Sequence, residues 1–557
     1  MSTSGAQAIV QTLIEQDVSV IFGYPGGAIM PTYDALYDVR EQLRHILVRH
    51  EQGAAHAAEG YARASGRVGV VLATSGPGAT NCITGLANAL MDSTPLVCIS
   101  GQVRSDQLGT EGFQEADVIG LSKAATKWNC QVTDPAAIPG VLRQAFAIAR
   151  SGRPGPVLVD ITRDAQLDCF EVAHADPPLP APHPTDLAAL PLAIELINNA
   201  ERPLLLAGHG VHLSGASELL RQLAETAQIP VACTLLGTAA LPTEHPLCVG
   251  MLGMHGHYGP NRLTNEADLL IAVGMRFDDR VTSRVDRYAP QAQVIHIEIE
   301  PRQLHKVIHA HAPLLGDART VLEALLPAIE PRRHEAWLAR FRDCAAEERR
   351  RVVDAELEPA EGFLKMGEVI DRLASLSGGE AVIVSDVGQH QMQAARYYRF
   401  RHPGSYHTSG GMGTMGFGLP AAVGASVAVA HRPVVAVVGD GGLQMTLQEL
   451  GTIMQERLPV KIVVLNNHYL GMVRQWQELF FKGRYSCVDM QNPDFTVIAS
   501  GYGIAARRVS ERADLGSALR EMLDSGGPFL LDVEVAAMDK VFPMVTPGTA
   551  VHEVRLE

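Results

Sequence analysis

Short runs of apolar, largely β-branched residues recur along the whole chain, and most are followed by a glycine-containing turn and a helix-like stretch. Such runs include VSVIFG, VGVVLA and PLVCIS in the first third, PLLLAG, LLIAVG and QVIHIE in the middle, and AVIVSD, PVVAVVGDGG, VKIVVLNN and FLLDVEV in the last third. Continuous apolar strands are typical of parallel sheets covered by helices on both faces. The pattern therefore predicts an α/β protein built from doubly wound parallel sheets, with ligand loops at the carboxyl ends of the strands.

Chain length and two composition shifts predict three domains. The 557 residues exceed the size at which a single hydrophobic core keeps growing. Residues 174–187 are proline-dense and polar, which is typical of a linker, and the charged stretch 331–362 is predicted to form an exposed helix that leads into a third unit. We expect domains at 1–172, 185–330 and 363–540, followed by a short irregular tail.

Charge and cysteine usage exclude several classes of partner. The chain carries 61 acidic and 46 basic residues, a net charge of -15, without a basic block, so binding to nucleic acid or to an anionic membrane is not expected. The sequence shows neither an apolar run of roughly 20 residues nor a basic segment followed by an apolar leader. Eight scattered cysteines without a Cys-x-x-Cys pair are predicted to be buried free thiols. We therefore expect a cytoplasmic protein that binds small molecules.

Two apolar runs in the last third end in polar groups suited to a metal and a diphosphate. The first ends in Gly439-Asp440-Gly441-Gly442, and the second ends in Asn466-Asn467, with Asp440 and Asn467 27 residues apart. Glycines let a backbone approach a diphosphate, and carboxylate and amide oxygens are ligands for a hard cation such as Mg²⁺. A Gly-Asp-Gly sequence alone would more often be an ordinary turn, so the spacing carries this prediction.

A glutamate near the start of the chain is a candidate catalytic acid. Glu51 follows the apolar run HILV and precedes the alanine-rich stretch AAHAAEGYARASG, which predicts a carboxyl group at a strand end where a helix begins. The alternative interpretation is a helix N-terminal acid that interacts only with the helix dipole. The position of Glu51 in the sequence does not by itself decide between these two interpretations.

Together these segments resemble the thiamine-diphosphate enzymes. The resemblance implies that Asp440, Asn467 and the main-chain carbonyl of Tyr469 bind Mg²⁺, and that Glu51 hydrogen-bonds N1′ of the aminopyrimidine. In the segment HTSGGMGTMGFGLPAA it places Gly413, as a carbonyl acceptor for N4′, and Met415, as a wedge under the bent cofactor. The remaining cofactor contacts that it implies are Val387, Gly388, Gln389, His390, Gly441, Gly442, Gly471 and Met472. Since Glu51 and Asp440 act across a subunit interface in that family, it also implies a homodimer or homotetramer.

The middle of the chain narrows the resemblance to the acetohydroxyacid synthases, which also bind FAD. The segment GMRFDDRVT resembles their flavin-binding segment, although four neighbouring charges could also form a surface ion network. The implied FAD contacts are Arg153, Gly208, Gly210, Thr234, Leu235, Met254, His255, Gly274, Arg276, Asp278, Val281, Glu298, Ile299, Asp317 and Ala318. The chain departs from the family at Arg163, where lysine is common, and at Ser283, where glycine is frequent.

Further segments resemble the substrate site of these synthases. The resemblance places Phe113 and Gln114, in the loop GTEGFQE, over the cofactor, and it adds Arg280 and Trp476 to the site of the second keto acid. It implies that pyruvate loses CO₂ and that the hydroxyethyl unit is transferred to a second pyruvate or to 2-ketobutyrate, as the first common step of valine, leucine and isoleucine biosynthesis. Because this reaction is redox-neutral, we expect a structural FAD. A small regulatory subunit is a further possible partner.

Two other functions remain open at this stage. A pyruvate oxidase would use the same two cofactors and pass electrons to a quinone or to oxygen, but the tail VFPMVTPGTAVHEVRLE lacks an amphipathic helix suited to a membrane quinone, and GMVRQWQ favours the synthase. A catalytically dead, cofactor-bound scaffold is disfavoured by the presence of Glu51, Asp440 and Asn467. Formation of acetolactate from pyruvate without oxygen would discriminate among the three.

Overall fold

The computed structural model describes residues 2–171, 184–429 and 431–557, and it contains three six-stranded parallel sheets covered by helices. The predicted doubly wound α/β class is therefore confirmed. Of the predicted linker at 174–187, residues 174–183 lie outside the described residues, as does residue 172 at the predicted end of the first domain. The domain boundaries stay a prediction.

The first sheet lies within residues 20–162 and has the strand order β3-β2-β4-β5-β7-β6. Its strands are β2 (Val20–Gly23), β3 (Arg44–Leu47), β4 (Gly69–Ala73), β5 (Leu96–Gln102), β6 (Trp128–Val132) and β7 (Pro156–Thr162), and a small antiparallel pair joins β1 (Ser2–Ser4) to β8 (Cys169–Glu171). The helices are α1 (Gly5–Glu15), α2 (Met30–Asp38), α3 (Glu51–Ser65), α4 (Pro77–Asn81), α5 (Ile83–Asp92), α6 (Val118–Ser122), α7 (Ile138–Arg150) and α8 (Arg163–Leu167).

The middle sheet has the order β11-β10-β9-β12-β13-β14. Its strands are β9 (Pro203–Ala207), β10 (Val231–Cys233), β11 (Cys248–Met251), β12 (Leu269–Val273), β13 (Gln293–Glu298) and β14 (Ala312–Leu315). Its helices are α9 (Leu190–Asn199), α10 (His209–Leu213), α11 (Ser217–Ala227), α12 (Tyr258–Thr264), α13 (Asp279–Thr282) and α14 (Ala318–Leu325).

The charged stretch after the middle sheet folds differently from the prediction of an exposed helix. It contains α15 (Glu335–Glu348), a π-helical turn at Arg349–Val353 and α16 (Asp354–Leu357). One face of α15 is buried, and the indole Nε1–H of Trp337 donates to the carbonyl of Pro203 over 2.8 Å. The charged residues that dominate the composition cover the other face, so composition alone concealed the apolar spacing of Trp337, Phe341 and Cys344.

The third sheet has the order β16-β15-β17-β18-β20-β19. Its strands are β15 (Val382–Ser385), β16 (Tyr406–Thr408), β17 (Val434–Gly439), β18 (Lys461–Asn466), β19 (Ala505–Val509) and β20 (Phe529–Glu534), and β21 (Met544–Val545) pairs with β22 (Val554–Arg555) in the tail. The helices are α17 (Met366–Ser377), α18 (Gln389–Tyr397), α19 (Gly418–Ala428), α20 (Asp440–Thr446), α21 (Leu450–Glu456), α22 (Gly471–Phe480), α23 (Phe495–Gly501) and α24 (Arg512–Asp524).

The first and third sheets are joined through α3 and α19, which pack at backbone distance. A Cβ atom added at Gly60 would lie 1.9 Å from the carbonyl oxygen of Ala421, and one added at Gly424 would lie 1.7 Å from that of Ala57. Only glycine permits so close an approach. The contact brings the helix that begins at Glu51 against the third domain of its own chain.

All eight cysteines are free thiols, but the prediction that they are buried is wrong for four of them. Cys169 and Cys487 are exposed and Cys130 and Cys248 are half-buried, whereas Cys82, Cys98, Cys233 and Cys344 are buried. Cys169 lies on the short edge strand β8, and Cys487 lies in the segment that follows α22. Within residues 2–171, 184–429 and 431–557, no helix is long and apolar enough to cross a membrane.

Candidate active site

A cavity of about 760 Å³ opens at the carboxyl ends of the middle and third sheets. Its volume is within the range of pockets that hold cofactors and drug-sized ligands. Every thiamine-diphosphate contact predicted in the last third of the chain lines it: Val387, Gly388, Gln389, His390, Gly413, Met415, Asp440, Gly441, Gly442, Asn467, Tyr469, Gly471 and Met472. The structure thus brings this set together, while the role of each residue stays a prediction.

Asp440 and Asn467 follow strands that are direct neighbours. Gly439, the last residue of β17, pairs with Leu465 of β18, so both side chains stand at the same edge of the sheet. Both residues are almost fully buried. The Asp440 carboxylate accepts a hydrogen bond of 2.7 Å from Asn492 Nδ2, and the Asn467 amide oxygen accepts one of 3.1 Å from the Tyr469 N–H. Burial raises the pKa of Asp440, and the Asn492 amide opposes this rise. The oxygens suit a hard cation.

The Val387–His390 turn provides a buried nitrogen that has no partner. The ring of His390 lies between Gly388 and Gly439, where an added Cβ would be 2.8 Å and 2.9 Å, respectively, from His390 Cε1. His390 Nε2 is buried without a hydrogen-bond partner, and burial lowers the pKa of the ring to about 3. The backbone N–H groups of this glycine turn at the start of α18 fit a phosphate oxygen, and the unpaired ring nitrogen adds a polar group to the site.

Residues 409–416, which we call the wedge loop, carry Gly413 and Met415. Gly413 has a φ of +69° and Gly416 one of +86°. The loop ends against Asp386, whose carboxylate accepts hydrogen bonds from the N–H groups of Val387, Gly416 and Gly418 over 2.7, 3.0 and 2.8 Å. The side chain of Met415 reaches the diphosphate motif, since its Cε lies 3.7 Å from the position of a Cβ on Gly441.

Glu51 lies in the first domain, half-buried. It is the first residue of α3, the helix that follows β3, as predicted. Its Oε2 accepts a hydrogen bond of 3.0 Å from Asn81 Nδ2, and a Cβ added at Gly78 would lie 3.3 Å from its Oε1. Burial and the negative charge of Glu51 raise the pKa of the neighbouring Tyr33. These contacts hold the carboxyl group in place from one side.

Three predicted site residues of the first domain do not line the cavity. Glu51, Phe113 and Gln114 are absent from its walls, and Phe113 is 90% exposed. The loop that carries Phe113 packs on Gly76, where an added Cβ would lie 3.0 Å from Gln114 Cβ. Within one chain, the group predicted to activate the cofactor and the group predicted to bind its metal therefore face different spaces.

The predicted flavin residues, of which all but Arg153 belong to the middle domain, line the same cavity, with one exception. The lining set is Arg153, Gly210, Thr234, Leu235, Met254, His255, Gly274, Arg276, Asp278, Val281, Glu298, Ile299, Asp317 and Ala318. Gly208 lies behind the wall, where an added Cβ would be 2.2 Å from the carbonyl oxygen of Gly274. Gly208 therefore packs closely against Gly274, and its contact with FAD stays a prediction.

Unpaired polar groups on this side of the cavity fit a large polar ligand. Both ring nitrogens of His255 are buried without hydrogen-bond partners, and burial lowers the pKa of the ring to about 4. Burial and the nearby Arg276 cation lower the pKa of Arg153, and burial raises the pKa of Glu298. A cation pair and an acid around a long cavity are compatible with the diphosphate and hydroxyl groups of FAD.

The two predicted substrate residues outside the first domain, Arg280 and Trp476, both line the cavity. Arg280 lies on α13 with its guanidinium 3.5 Å from Asp279. Trp476 lies on α22, and its ring makes an edge-to-face contact with Phe480 at a centroid distance of 5.4 Å. Ser283, where the family often has glycine, has a φ of +49°, which accounts for a glycine preference at this position.

Sequence reasoning missed several residues that build the site. Asn492 contacts both Asp440 and Asn466 but follows no recognisable pattern in the sequence. Asp386 ends the apolar run AVIVSD. A charged residue at the end of a buried strand is the pattern that could have identified it as a site residue. Asn88 and Asp92 accept hydrogen bonds from the wedge loop. Their spacing of four residues predicts that they share one face of a helix, but the sequence does not indicate which segment that face contacts.

Comparison with known proteins agrees with this arrangement. Family models match residues 3–121 (thiamine pyrophosphate enzyme, N-terminal TPP binding domain), 190–325 (central domain) and 386–533 (C-terminal TPP binding domain). Thiamine pyrophosphate is thiamine diphosphate.

Similar proteins cover nearly the whole chain. The acetolactate synthase isozyme 2 large subunit of Escherichia coli K12 is 46% identical over 99% of both chains. The acetolactate synthase large subunit of Parasynechococcus marenigrum is 46% identical over 98% of this chain and 90% of its own. That of Lactococcus lactis is 42% identical over 98% and 95%. The chain therefore belongs to the acetolactate synthase large-subunit family of thiamine pyrophosphate enzymes.

Proposed function

We propose that this chain is the catalytic subunit that condenses two 2-keto acids with loss of CO₂. Pyruvate is the donor, and a second pyruvate gives 2-acetolactate, whereas 2-ketobutyrate gives 2-aceto-2-hydroxybutyrate. The full-length similarity to acetolactate synthases carries this assignment, because it covers both halves of the site as well as the middle domain. The reaction is the first common step of branched-chain amino-acid biosynthesis.

Thiamine diphosphate, when bound, supplies the carbon nucleophile and the electron sink for decarboxylation. The chain supplies the residues that bind this cofactor. Asp440, the Asn467 amide oxygen and the main-chain carbonyl of Tyr469 would hold Mg²⁺ against the diphosphate, and the backbone N–H groups at the start of α18 would donate to a phosphate oxygen. The unpaired nitrogen of His390 and the oxygen-rich strand ends support this placement.

Glu51 and Gly413 would hold the aminopyrimidine ring and its protons. The Glu51 carboxyl group would share a proton with N1′, and the Gly413 carbonyl would accept a hydrogen bond from the 4′-amino group. Gly413 has a left-handed backbone and an open environment, with only Val387 Cγ1 within 4.0 Å of an added Cβ, so there is room for a ring beside it. Met415 would support the bend between the two rings.

The active unit is a homodimer, alone or within a homotetramer. The cavity that holds Asp440 and Asn467 does not include Glu51, Phe113 or Gln114 of the same chain, so a second copy is needed to complete it. The first domain exposes Tyr24, Met30 and Phe113 to solvent in the single chain. An exposed apolar set near an incomplete site fits burial in a symmetric interface.

FAD in this enzyme has a structural role. Condensation of two keto acids with loss of CO₂ involves no net oxidation, so a flavin bound along the middle domain would not need to cycle. His255, Arg153 and Arg276 would contact it. Yellow protein whose flavin stays oxidised during turnover is the expected result.

Three further assignments complete the proposal. The words "large subunit" in the names of the relatives support a smaller regulatory partner for this chain. We place the protein in the cytoplasm, in keeping with its acidic, cofactor-dependent character. Domain boundaries at 1–172, 185–330 and 363–540 are supported by the three sheets and by family matches that fall inside them.

One anaerobic assay tests the proposed function. Purified protein with thiamine diphosphate, Mg²⁺, FAD and pyruvate should form acetolactate and CO₂ without an electron acceptor. Acetate as the main product, with bleaching of the flavin at the rate of turnover, would assign a pyruvate oxidase instead. Bound cofactors without any consumption of pyruvate would assign a scaffold.

A further inference from the structure

The wedge loop is held at one end by the first domain of its own chain. Its far end, at Gly416, bonds to Asp386 of the third domain. Its near end and middle bond to two side chains of α5, Asn88 and Asp92, which lie one helical turn apart on the same face.

Asp92 binds the backbone of the loop. Its Oδ2 accepts a hydrogen bond of 3.0 Å from the N–H of Gly410, and its Oδ1 accepts one of 2.6 Å from that of Gly411. The residue is 1% exposed. Two consecutive amides directed at one buried carboxylate fix both the position and the orientation of this glycine pair.

Asn88 binds the side chains of the loop. Its Oδ1 accepts hydrogen bonds from the hydroxyl groups of Ser409 and Thr414, the latter over 2.9 Å. The Ser409 hydroxyl oxygen in turn accepts a hydrogen bond of 2.8 Å from the N–H of Thr414. Asn88 thereby closes the loop on itself around Gly413, the residue next to Thr414.

A buried ion network fixes these two side chains. Asn88 Nδ2 donates to both carboxylate oxygens of Glu59, at 3.0 and 2.9 Å, and Arg63 bonds to Asp92 at 2.8 Å and to Glu59 at 3.3 Å. Arg63 also donates to the carbonyl of Thr408, immediately before the loop. Glu59 and Arg63 lie four residues apart on α3, the helix that begins at Glu51.

The loop has an intrinsic need for such support. Glycine occupies positions 410, 411, 413 and 416, so its backbone loses much conformational entropy when it is fixed. Hydrogen bonds in a buried network are strong and specific because the surroundings have a low dielectric constant. Four hydrogen bonds to Asn88 and Asp92 are therefore a means of presenting Gly413 in a single orientation.

We propose that Asn88 and Asp92 are positioning residues that aim the Gly413 carbonyl and Met415 at the aminopyrimidine of thiamine diphosphate. This rests on the proposed function of the wedge loop. Each chain then contributes twice to catalysis: its first domain holds the wedge loop of its own third domain, while its Glu51 serves the site of the partner. Loss of the hydrogen bonds that Asn88 and Asp92 accept from the wedge loop should slow cofactor activation more than it weakens cofactor binding, because the residues proposed to bind the diphosphate and the metal are unchanged.

The test measures exchange of the thiazolium C2 proton with deuterium in the holoenzyme, at saturating thiamine diphosphate and Mg²⁺ and without a keto acid, by acid quench and NMR. Asn88→Ala should slow exchange roughly 10- to 100-fold, as expected when a reacting group is misplaced by about an ångström. Its dissociation constant for thiamine diphosphate should change less than about threefold. Near-ultraviolet circular dichroism should show a weaker imino-tautomer band.

A second pair of variants keeps the test decisive if Asn88→Ala does not fold. Thr414→Val removes only the hydroxyl group that bonds to Asn88 and leaves the Asn88–Glu59 contact intact, so it should also slow exchange, whereas Thr414→Ser keeps the hydroxyl and should restore it. Asn129→Ala is a matched control, since Asn129 bonds to Ile119 and Ser122 inside the first domain.

Three results would overturn the proposal: exchange in Thr414→Val equal to that of the unmodified protein, equal loss in Thr414→Val and Thr414→Ser, or equal loss in Asn88→Ala and Asn129→Ala. Failure of the proposed function itself is a separate outcome. In that case the unmodified holoenzyme would not accelerate exchange over free thiamine diphosphate.

Discussion

The two halves of the candidate active site differ in how complete they are within one chain. The diphosphate half, around Asp440 and Asn467, is buried, lines a deep cavity and has its side chains hydrogen-bonded in place. The proposed activating half comprises Glu51, Phe113 and Gln114, none of which lines this cavity, and Phe113 is 90% exposed. Within one chain, the residues proposed to bind the diphosphate and metal therefore share a cavity, whereas those proposed to complete the site from the first domain lie outside it.

This difference separates cofactor binding from cofactor activation. In the proposed function, the oxygen ligands and the phosphate contacts of one chain hold the cofactor independently of Glu51. The activating acid comes from a second copy of the chain, so we expect changes in the two halves to affect cofactor binding and turnover differently.

The largest effect is expected at the activating half. Glu51→Gln keeps the shape and the hydrogen bond from Asn81 but removes the acid, so turnover should fall roughly 10²- to 10⁴-fold. Affinity for thiamine diphosphate should stay close to that of the unmodified protein. Steady-state rates beside a cofactor titration measure both quantities, and full activity would remove Glu51 from the mechanism.

Mixing variants of the two halves sharpens this prediction. Glu51→Gln and Asp440→Ala chains, each nearly inactive, should recover activity when their subunits are exchanged. About a quarter of the unmodified activity is expected, since about half of the dimers are mixed and each contains one intact site. A mixture that stays inactive would place both groups in one chain's site.

The next effect is expected at the diphosphate half. Asp440→Ala should weaken Mg²⁺ and thiamine diphosphate together, by more than the roughly 10- to 100-fold typical of a lost outer partner. Asn492→Ala, which removes only the amide that bonds to Asp440, is the graded control and should fall within that range. Titration of the apo-protein decides, and unchanged affinity in Asp440→Ala would mean that the metal motif has been misread.

The sequence predicted site residues where one segment contains both an apolar run, which marks a strand, and a polar residue at the end of that run. The strand ends at Asp440 and Asn467 could be predicted because apolar runs mark the strands and neighbouring parallel strands end at the same edge. The three parallel sheets followed from the same runs. Glu51 was found in the same way, as the first residue of a helix after a strand.

The remainder depended on contacts between distant segments. Asn88 meets Thr414 across 326 residues, and Asn492 meets Asp440 across 52, and no local pattern specifies such pairs. The helix α15 was misjudged as exposed because its partner surface, including Pro203, lies far away in the chain.

A smaller effect concerns a carboxyl group behind the diphosphate half. Glu356 accepts hydrogen bonds from the N–H of Gly367 and from Gln393, and burial raises its pKa from 4.5 to about 7. The folded state thus favours the protonated form, and this contribution to stability is present below pH 4.5 and lost as the pH rises through 7.

Glu356→Gln should therefore leave the melting temperature unchanged at pH 4.5 and raise it at pH 8, where the gain in unfolding free energy is at most about 3 kcal/mol. Exposed Glu361→Gln is the matched control and should show no such pH dependence. Melting curves across this range measure the effect. A variant that is equally or less stable than the unmodified protein at pH 8 would contradict the assignment.

The smallest effect concerns the choice of acceptor at the wall of the diphosphate half. Trp476 lines the cavity together with Met472 and Val473, and it is half-buried. Pyruvate and 2-ketobutyrate differ by one methylene, which a hydrophobic contact distinguishes by about 1–3 kcal/mol. Since the donor reacts first, discrimination arises when the second keto acid enters. Trp476→Leu should keep acetolactate formation and lower the ratio of acetohydroxybutyrate to acetolactate when both acceptors compete.

The control for Trp476 is its neighbour Phe480, which contacts the indole edge but is not among the cavity walls. Phe480→Leu removes the same aromatic contact and should leave the product ratio unchanged. If Trp476 only packs the core, its truncation should cost roughly 3–5 kcal/mol of stability and lower both products alike. An unchanged product ratio in Trp476→Leu with a large fall in melting temperature would assign the indole to packing. The residues that select the acceptor would then have to be sought in the first domain of the partner chain.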